Sequence, residues 1–448
     1  VSADATARDT LQRRLHALEA DAALPALPDE PLPDEALRDL VVILSSSRGG
    51  SSILAEALRR QTGLLHFRAE VNPFFVMAGL SCGHGGARSD ALGEADLQRA
   101  PEVRALRRAL LADIGRPRST LPDAAARRRY GLDLARRFTL QWPTLELELE
   151  GVHAALERAL DAAARAQRGG DGGGERGGEV DLSDPRLVVA LVIRELRGQG
   201  LPIHPYAYDI DPGLLRALFP GVLPRFEPEG PIIEEPPYVA ISPWAPATAE
   251  ELQRLPVVMK TPSNVYRLPF LAGLFPEARL RLLHLRRNVA SSVNGLLDGW
   301  GHPGFHSHRL GGPGGAEGWW KFDLPPGWEA WVDAPPGLRC AWQWRSAHRA
   351  ALEFLRQRPD LPRFALRFED LLRGGEVEAA AVEALAGWLG APLSPGLLDG
   401  VPAVMATAPP RRRRWFARAA ELGPVLEDPD NIRMMEELGY ESELTTWL

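Results

Sequence analysis

The stretch Asp39-Leu40-Val41-Val42-Ile43-Leu44-Ser45-Ser46-Ser47-Arg48-Gly49-Gly50-Ser51-Ser52-Ile53 decides the reading of the fold. Asp39–Leu44 is a short apolar run bounded by serine, the pattern of a strand buried in a parallel sheet. From Ser51 to Gln61, residues Ile53, Leu54, Ala57 and Leu58 form one helical stripe, and Gly63 suits its C-terminal cap. Strand, Ser/Gly turn and helix make a βα unit.

The turn itself suits an anion. Glycines let the backbone close around a charged group, N–H groups then point inward, and the helix N-terminus adds its dipole. Arg48 can fork two hydrogen bonds to a phosphate. Ser51 and Ser52 can donate hydroxyls or cap the helix. A plain Ser/Gly turn with a cap would use the same residues. The loop has no Gly-Lys-Ser/Thr ending, so it fails the pattern of nucleotide triphosphatases and points to another phosphate ligand.

The βα rhythm returns after Pro256. Val257-Val258-Met259 reads as a strand. Leu280–Leu285 is another, leading into a helix near Ala290–Leu297. Phe364–Phe368 alternates as a third, and Glu376–Leu389 is an amphipathic helix closed by Gly390. Strands alternating with helices predict an α/β fold with a parallel sheet. Leu285-Arg286-Arg287-Asn288 ends a strand with two arginines and opens the helix Val289-Ala290-Ser291-Ser292, a second ready-made anion site. A surface arginine pair with helix caps is the plainer reading. Two such sites on separate parallel strands suggest a ligand with two anionic ends.

Between these blocks, residues 81–255 read as a mostly helical insertion, with Arg- and Ala-rich helices from about 95 to 167 and a low-complexity Gly-rich run at 168–178. Residues 1–39 read as a helical lead-in on which Leu11, Leu15 and Leu18 share a face. Residues 40–80 and 256–448 then make the α/β core.

Composition sets outer limits. The 448 residues are 45% hydrophobic and 25% charged, ordinary for a globular chain. The net charge of −7 argues against general nucleic-acid binding. The 2 cysteines, Cys82 and Cys340, exclude a disulfide scaffold and fit a reducing, cytoplasmic setting. No uninterrupted apolar run predicts a membrane span. The N-terminus lacks a signal pattern, and its start at Val1 suggests a processed chain. Most of the 12 tryptophans fall between Trp300 and Trp344.

Taken together, these segments resemble the PAPS-dependent sulfotransferase family of bacteria, where PAPS is 3′-phosphoadenosine-5′-phosphosulfate. The loop Ser45–Ser52 looks like the family's 5′-phosphosulfate loop. Val258-Met259-Lys260-Thr261-Pro262 looks like its lysine-bearing strand, and Arg286-Arg287-Asn288 with Ser292 like its 3′-phosphate site. Leu366-Arg367-Phe368-Glu369-Asp370-Leu371 is similar to its Arg-Tyr-Glu-Asp-Leu strand end. Arg411-Arg412-Arg413-Arg414-Trp415 and Leu438-Gly439-Tyr440 are similar to its C-terminal part. The resemblance covers 40–80 and 256–440, not the insertion.

The resemblance implies a three-layer fold around a central parallel sheet, like that of P-loop NTPases. It implies PAPS as co-substrate, no metal, and sulfuryl transfer to a hydroxyl or amine of a small-molecule or carrier-bound acceptor. Arg48, Gly49, Gly50, Ser51 and Ser52 would hold the 5′-phosphate. Arg287 and Ser292 would hold the 3′-phosphate, with Arg411, Arg412, Arg413 and Arg414 closing over it. Val289 stands where the family has proline, and Ser292 comes about one helical turn early, so Ser291 and Arg286 stay open as alternatives.

Transfer in line needs a base for the acceptor's proton and cations for the charge growing on the leaving oxygen. Lys260 and Arg48 are the expected cations. Pro262 stands where some members place a histidine base, so Glu70, on the strand expected after the first helix, is the expected base. A salt bridge of Glu70 with Arg68, or a helix start, is its plainer reading. His302, with His306 and His308 nearby, is the alternative base. A metal site there is disfavoured because no carboxylate is near. The adjacent tryptophans suggest an apolar acceptor wall. Two other readings are a P-loop kinase-like ATP-dependent phosphotransferase and a non-catalytic nucleotide-binding interaction protein.

Overall fold

The computed structural model describes residues 3–22, 36–81, 88–167, 180–310, 318–407 and 413–441. The Gly-rich run at 168–178, Cys82, Arg411 and Arg412 lie outside them. The chain divides into two compact units, one of Val1–Pro31 with Gly115–Pro246 and one of Leu32–Ile114 with Ala247–Leu448.

The strands in chain order are β1 (Asp39–Leu44), β2 (Leu65–His66), β3 (Gly115–Pro117), β4 (Trp244–Pro246), β5 (Val257–Lys260), β6 (Arg279–Arg286), β7 (His308–Leu310), β8 (Gly318–Trp320) and β9 (Arg363–Arg367). In the second unit β2, β5, β1, β6 and β9 lie side by side in that order, all parallel. Leu40 of the central β1 sits between Val257 of β5 and Leu280 of β6.

The alternation of β1 explains the layers. Leu40, Val42 and Leu44 face one way, into a core with Phe75, Leu106, Phe270 and Ala351. Val41 and Ile43 face the other, against Leu54 and Leu58 of the helix Ser51–Arg59 and Leu385 of the helix Gly375–Leu389. Both faces are covered, so every residue of β1 is buried. This is the expected α/β architecture, a mostly parallel sheet between helical layers.

Some boundaries differ from expectation. The first helix stops at Arg59 with Arg60 as cap, so Gly63 does not close it. Its apolar stripe runs out there, and Gly63 lies in the following turn. β2 is only Leu65–His66, which leaves Glu70 beyond the strand. Gly390 does close its helix, in the left-handed conformation that glycine favours.

The first unit has its own core, built on the helices Ala3–Asp21, Ala124–Gln141, Leu149–Gln167 and Arg186–Gly198. Leu18, Phe138, Leu156, Val189 and Ile193 meet there. β3 and β4 pair antiparallel within this unit. In the second unit, the amide of Ala247 donates to the carbonyl of Ile114 at 2.9 Å. The chain therefore leaves and re-enters that unit at one point. No helix among the described residues is long and apolar enough to cross a membrane.

Candidate active site

The turn after β1 is shaped by its glycines. A Cβ on Gly49 would stand 2.2 Å from Ser45 Oγ, and one on Gly50 would stand 2.6 Å from the Phe368 ring. Gly50 has φ 95° and Arg48 has φ 62°, both left-handed. Ser45, Ser46 and Ser47 are buried beneath the turn. Gly50, the cap residue, supplies no side-chain hydrogen bond to the helix Ser51–Arg59.

Lys260 at the end of β5 reaches this turn. Its Nζ donates to Ser52 Oγ at 2.9 Å and to the Glu70 carboxylate. A backbone tie explains the meeting: the amide of Val71, next to Glu70, donates to Thr261 Oγ1, next to Lys260, at 3.0 Å. Arg68 pairs instead with Asp113. Lys260, Glu70 and Ser52 thus form one constellation at the carboxyl ends of parallel strands.

Arg48 is held differently from the sequence expectation of a phosphate-facing fork. Its guanidinium donates to the carbonyls of Gly295 (3.3 Å) and Met405 (2.5 Å) and to Thr407 Oγ1 (3.1 Å), and it lies over the Phe305 ring. Its carbonyl accepts from Arg287 Nη1 at 3.0 Å. The two expected anion sites are therefore joined directly. A Cβ on Gly295 would sit 3.2 Å from Arg48 Cβ, so the helix Val289–Gly301 approaches the turn through a position that has no side chain.

That helix is anchored by its first residues. Asn288 caps it by accepting from the Ser291 amide at 2.8 Å. Asn288 in turn donates from its amide and its Nδ2 to one oxygen of Glu369, whose other oxygen accepts from Tyr440 at 2.7 Å. Burial lowers the pKa of the Arg287 guanidinium, against the pull of Glu369 and Tyr440. Ser292, one turn before Gly295, is buried, and its Oγ has no hydrogen-bond partner among the described residues. Ser46 Oγ in the turn is in the same state. Of the open alternatives, Arg286 donates to the Leu438 carbonyl at 3.1 Å, away from Arg48.

Within the described half of the arginine run, Arg413 is exposed and lies over the Phe416 ring, while Arg414 pairs with Asp298. Arg418 shares Asp298 at 2.7 Å. His302 Nδ1 accepts from the Gly304 amide at 3.0 Å, and its carbonyl accepts from Lys321 Nζ at 2.6 Å. Burial first, then Lys321 and Arg48, lower its pKa. No hydrogen bond joins His302 to Lys260 or Glu70 among the described residues. His306 Nε2 meets the Pro303 carbonyl at 2.9 Å.

The tryptophans pack largely on one another. Trp320 is buried and touches Trp300, Trp328 and Trp342 edge-on, and Trp331 stacks on Trp342.

Sequence reasoning missed Asp323 and Tyr266. Asp323 Oδ1 accepts from Ser47 Oγ at 2.5 Å, and its Oδ2 accepts from Tyr266 OH at 2.7 Å. No spacing or motif marks an aspartate so far along the chain as a partner of the turn after β1.

No protein-family model matches the chain, and no curated protein matches it. Among solved structures it is similar to a sulfotransferase domain from the curacin biosynthetic pathway, at 14% identity and a TM-score of 0.33, covering 91% of this chain and 99% of that one. It is also similar to a sulfotransferase domain from the Synechococcus PCC 7002 olefin synthase, at 13% identity and a TM-score of 0.34, covering 92% and 98%.

Proposed function

We propose that the chain is a sulfotransferase that moves the sulfuryl group of PAPS to a hydroxyl or amine. The observation that carries the reading is the placement of Lys260 Nζ between Ser52 Oγ at the anion turn and the Glu70 carboxylate. One cation there touches both the group that would hold the donor's phosphate and the group that would take the acceptor's proton.

The cradle fits a ligand with two phosphates. Gly49 and Gly50 leave no room for side chains, and the orphaned hydroxyls of Ser46 and Ser292 lack protein partners at the two anion sites. Such buried groups cost stability unless a ligand or water pairs them. In this reading Gly49, Gly50, Ser51 and Ser52 bind the 5′-phosphate, and Arg287 and Ser292 bind the 3′-phosphate. Arg48 contributes its main chain and ties the turn to Met405 and Thr407. Arg414, whose charge bears on Arg287, stands on the 3′ side.

Glu70 accepts the proton of the acceptor. The acceptor's oxygen or nitrogen forms a bond to sulfur as the bond from sulfur to the bridging oxygen breaks. That electron pair passes to the 5′-phosphate, where Lys260 and Ser52 meet the new charge. The products are the sulfated acceptor and PAP, the adenosine 3′,5′-bisphosphate left behind.

Addition of millimolar PAP is expected to raise the melting temperature, since a ligand at a hundredfold its Kd stabilises by ~2.7 kcal/mol. Arg48→Ala, which keeps the main-chain donor and cuts the tie to Met405 and Thr407, should reduce the shift. Glu70→Gln should keep it while turnover on an accepted hydroxyl substrate falls at least ~100-fold. No shift in the unaltered protein would sink the reading, and a fully active Glu70→Gln would move the base to His302.

A further inference from the structure

Ser47 and Tyr266 belong to separate turns, one after β1 and one after β5. Each turn carries part of the site described above: Arg48 to Ser52 on the first, Lys260 and Thr261 just before the second. A single carboxylate joins them, because Asp323 takes Ser47 Oγ on one oxygen and Tyr266 OH on the other. All three residues are buried, Asp323 at 3% exposure.

Asp323 is itself fixed from behind. The indole of Trp320 donates to its carbonyl at 2.9 Å, and Gln343 Nε2 donates to the same carbonyl at 2.7 Å. Phe322, before it, has φ 66°, and its amide is tied to Ser307 Oγ. Next to it, the Leu324 amide donates to Asp90 Oδ2 at 2.8 Å. Neither hydroxyl held by Asp323 is a charge, and the side chain of Asp90 bears on it electrostatically. Asp90 is met by Arg267 and by Ser263 Oγ, and its charge also bears on His308.

We propose that Asp323 is a proton-linked positioning residue that holds the anion turn and the Lys260 turn in one arrangement through its two carboxyl oxygens. Deepening the reading above, it acts through Ser47 and Tyr266 and touches neither donor nor acceptor. Each carboxyl oxygen takes one hydroxyl, and Gln343 Nε2 also donates to Oδ1 at 3.4 Å. A hydroxyl accepts as well as donates, so protonation of Asp323 turns one bond round and keeps it. Burial pushes the Asp323 carboxyl up to about 6, with Asp90 adding to it, against the pull of Ser47 and Tyr266. Opening the turns to water favours the ionised form, so the clamp is tightest below that pH and weakens as pH rises through it.

Hydrogen exchange of the full, ligand-free chain tests this without relying on PAP. Rates are corrected for the intrinsic pH effect and read on peptides spanning 44–54 and 262–268, with 279–286 as reference. In the unaltered protein, protection of both peptides is expected to rise about tenfold between pH 8 and pH 5, beyond any change in the reference. Asp323→Asn, which cannot ionise, should show no such step. Ser47→Ala should loosen 44–54 alone, and Tyr266→Phe should loosen 262–268 alone. These two variants decide the matter even if Asp323→Asn does not fold. A fall or no step in the unaltered protein, or the same step in Asp323→Asn, overturns the proposal. A PAP titration beside it judges the sulfotransferase reading separately, because the exchange result stands whether or not PAP binds.

Discussion

Gly50 shows how closely the anion turn is built. It combines φ 95° with a ring wall, since a Cβ would stand 2.6 Å from Phe368. Gly50→Ala is expected to lower stability by ~2 kcal/mol or more in urea unfolding, with PAP stabilisation lost. Gly93→Ala is the control: its φ is −113° and nothing lies within 4 Å, so stability should move by less than ~0.5 kcal/mol. The glycines of the turn are legible in the sequence because strand, turn and helix follow one another locally. The destination of the Arg48 side chain is not. Its Met405 partner lies 357 positions away, and no pattern in either segment announces the other. Lys260 and Glu70 occupy a middle ground. Their residue types and strand positions can be read, while their meeting depends on β2 and β5 pairing, with Leu65 beside Val257.

At the scale of elements, long strands buried on both faces declare themselves. β1 is an apolar run and β6 a leucine-rich one broken by Arg281 and His284, and the structure gives both close to the expected bounds. The pair β3 and β4 escapes because each is three residues long and ends in proline, too short to show a period. β6 also carries a polar pair inside the fold. His284 Nε2 lies 3.0 Å from Nδ1 of His348 on the helix Pro336–Gln357, with the Trp344 ring against His348. Burial, then Arg286, pushes His348 down to about 3. The unfolded chain, with a histidine pKa of about 6.5, takes up the proton first. The stability tied to the neutral ring is therefore complete above pH 6.5 and is lost as pH falls toward the folded value. Against His348→Gln, the unaltered protein should lose roughly 2 kcal/mol more between pH 7 and pH 5, measured by denaturant unfolding at each pH. The comparison with the variant matters, because Asp323, raised to about 6, contributes with the opposite sign.

For the whole molecule, the decisive fact is that residues 115–246 begin and end at one hydrogen bond, Ala247 to Ile114. A chain in which Ile114 is joined to Ala247 by a short Gly/Ser linker is expected to keep the parallel sheet and the PAP-induced melting shift. Loss of both on a soluble, monomeric product would show that the second unit depends on the excised segment. The α/β alternation on either side of that excursion is legible from the sequence. The point of departure is not, since nothing in Ile114-Gly115 differs in kind from its neighbours.

The same excursion shapes the birth of the protein on the ribosome. β1 is the centre of the sheet, yet both its neighbours, β5 and β6, come after the excursion, with Leu40 paired to Val257 and Leu280. At ~5–20 residues per second, on the order of two hundred intervening residues take roughly 10–40 s to synthesise. Through that interval the nascent Val41-Val42-Ile43-Leu44 segment has no strand to join, so holdase chaperones should find their binding site there, early in translation and upstream of everything that later conceals it.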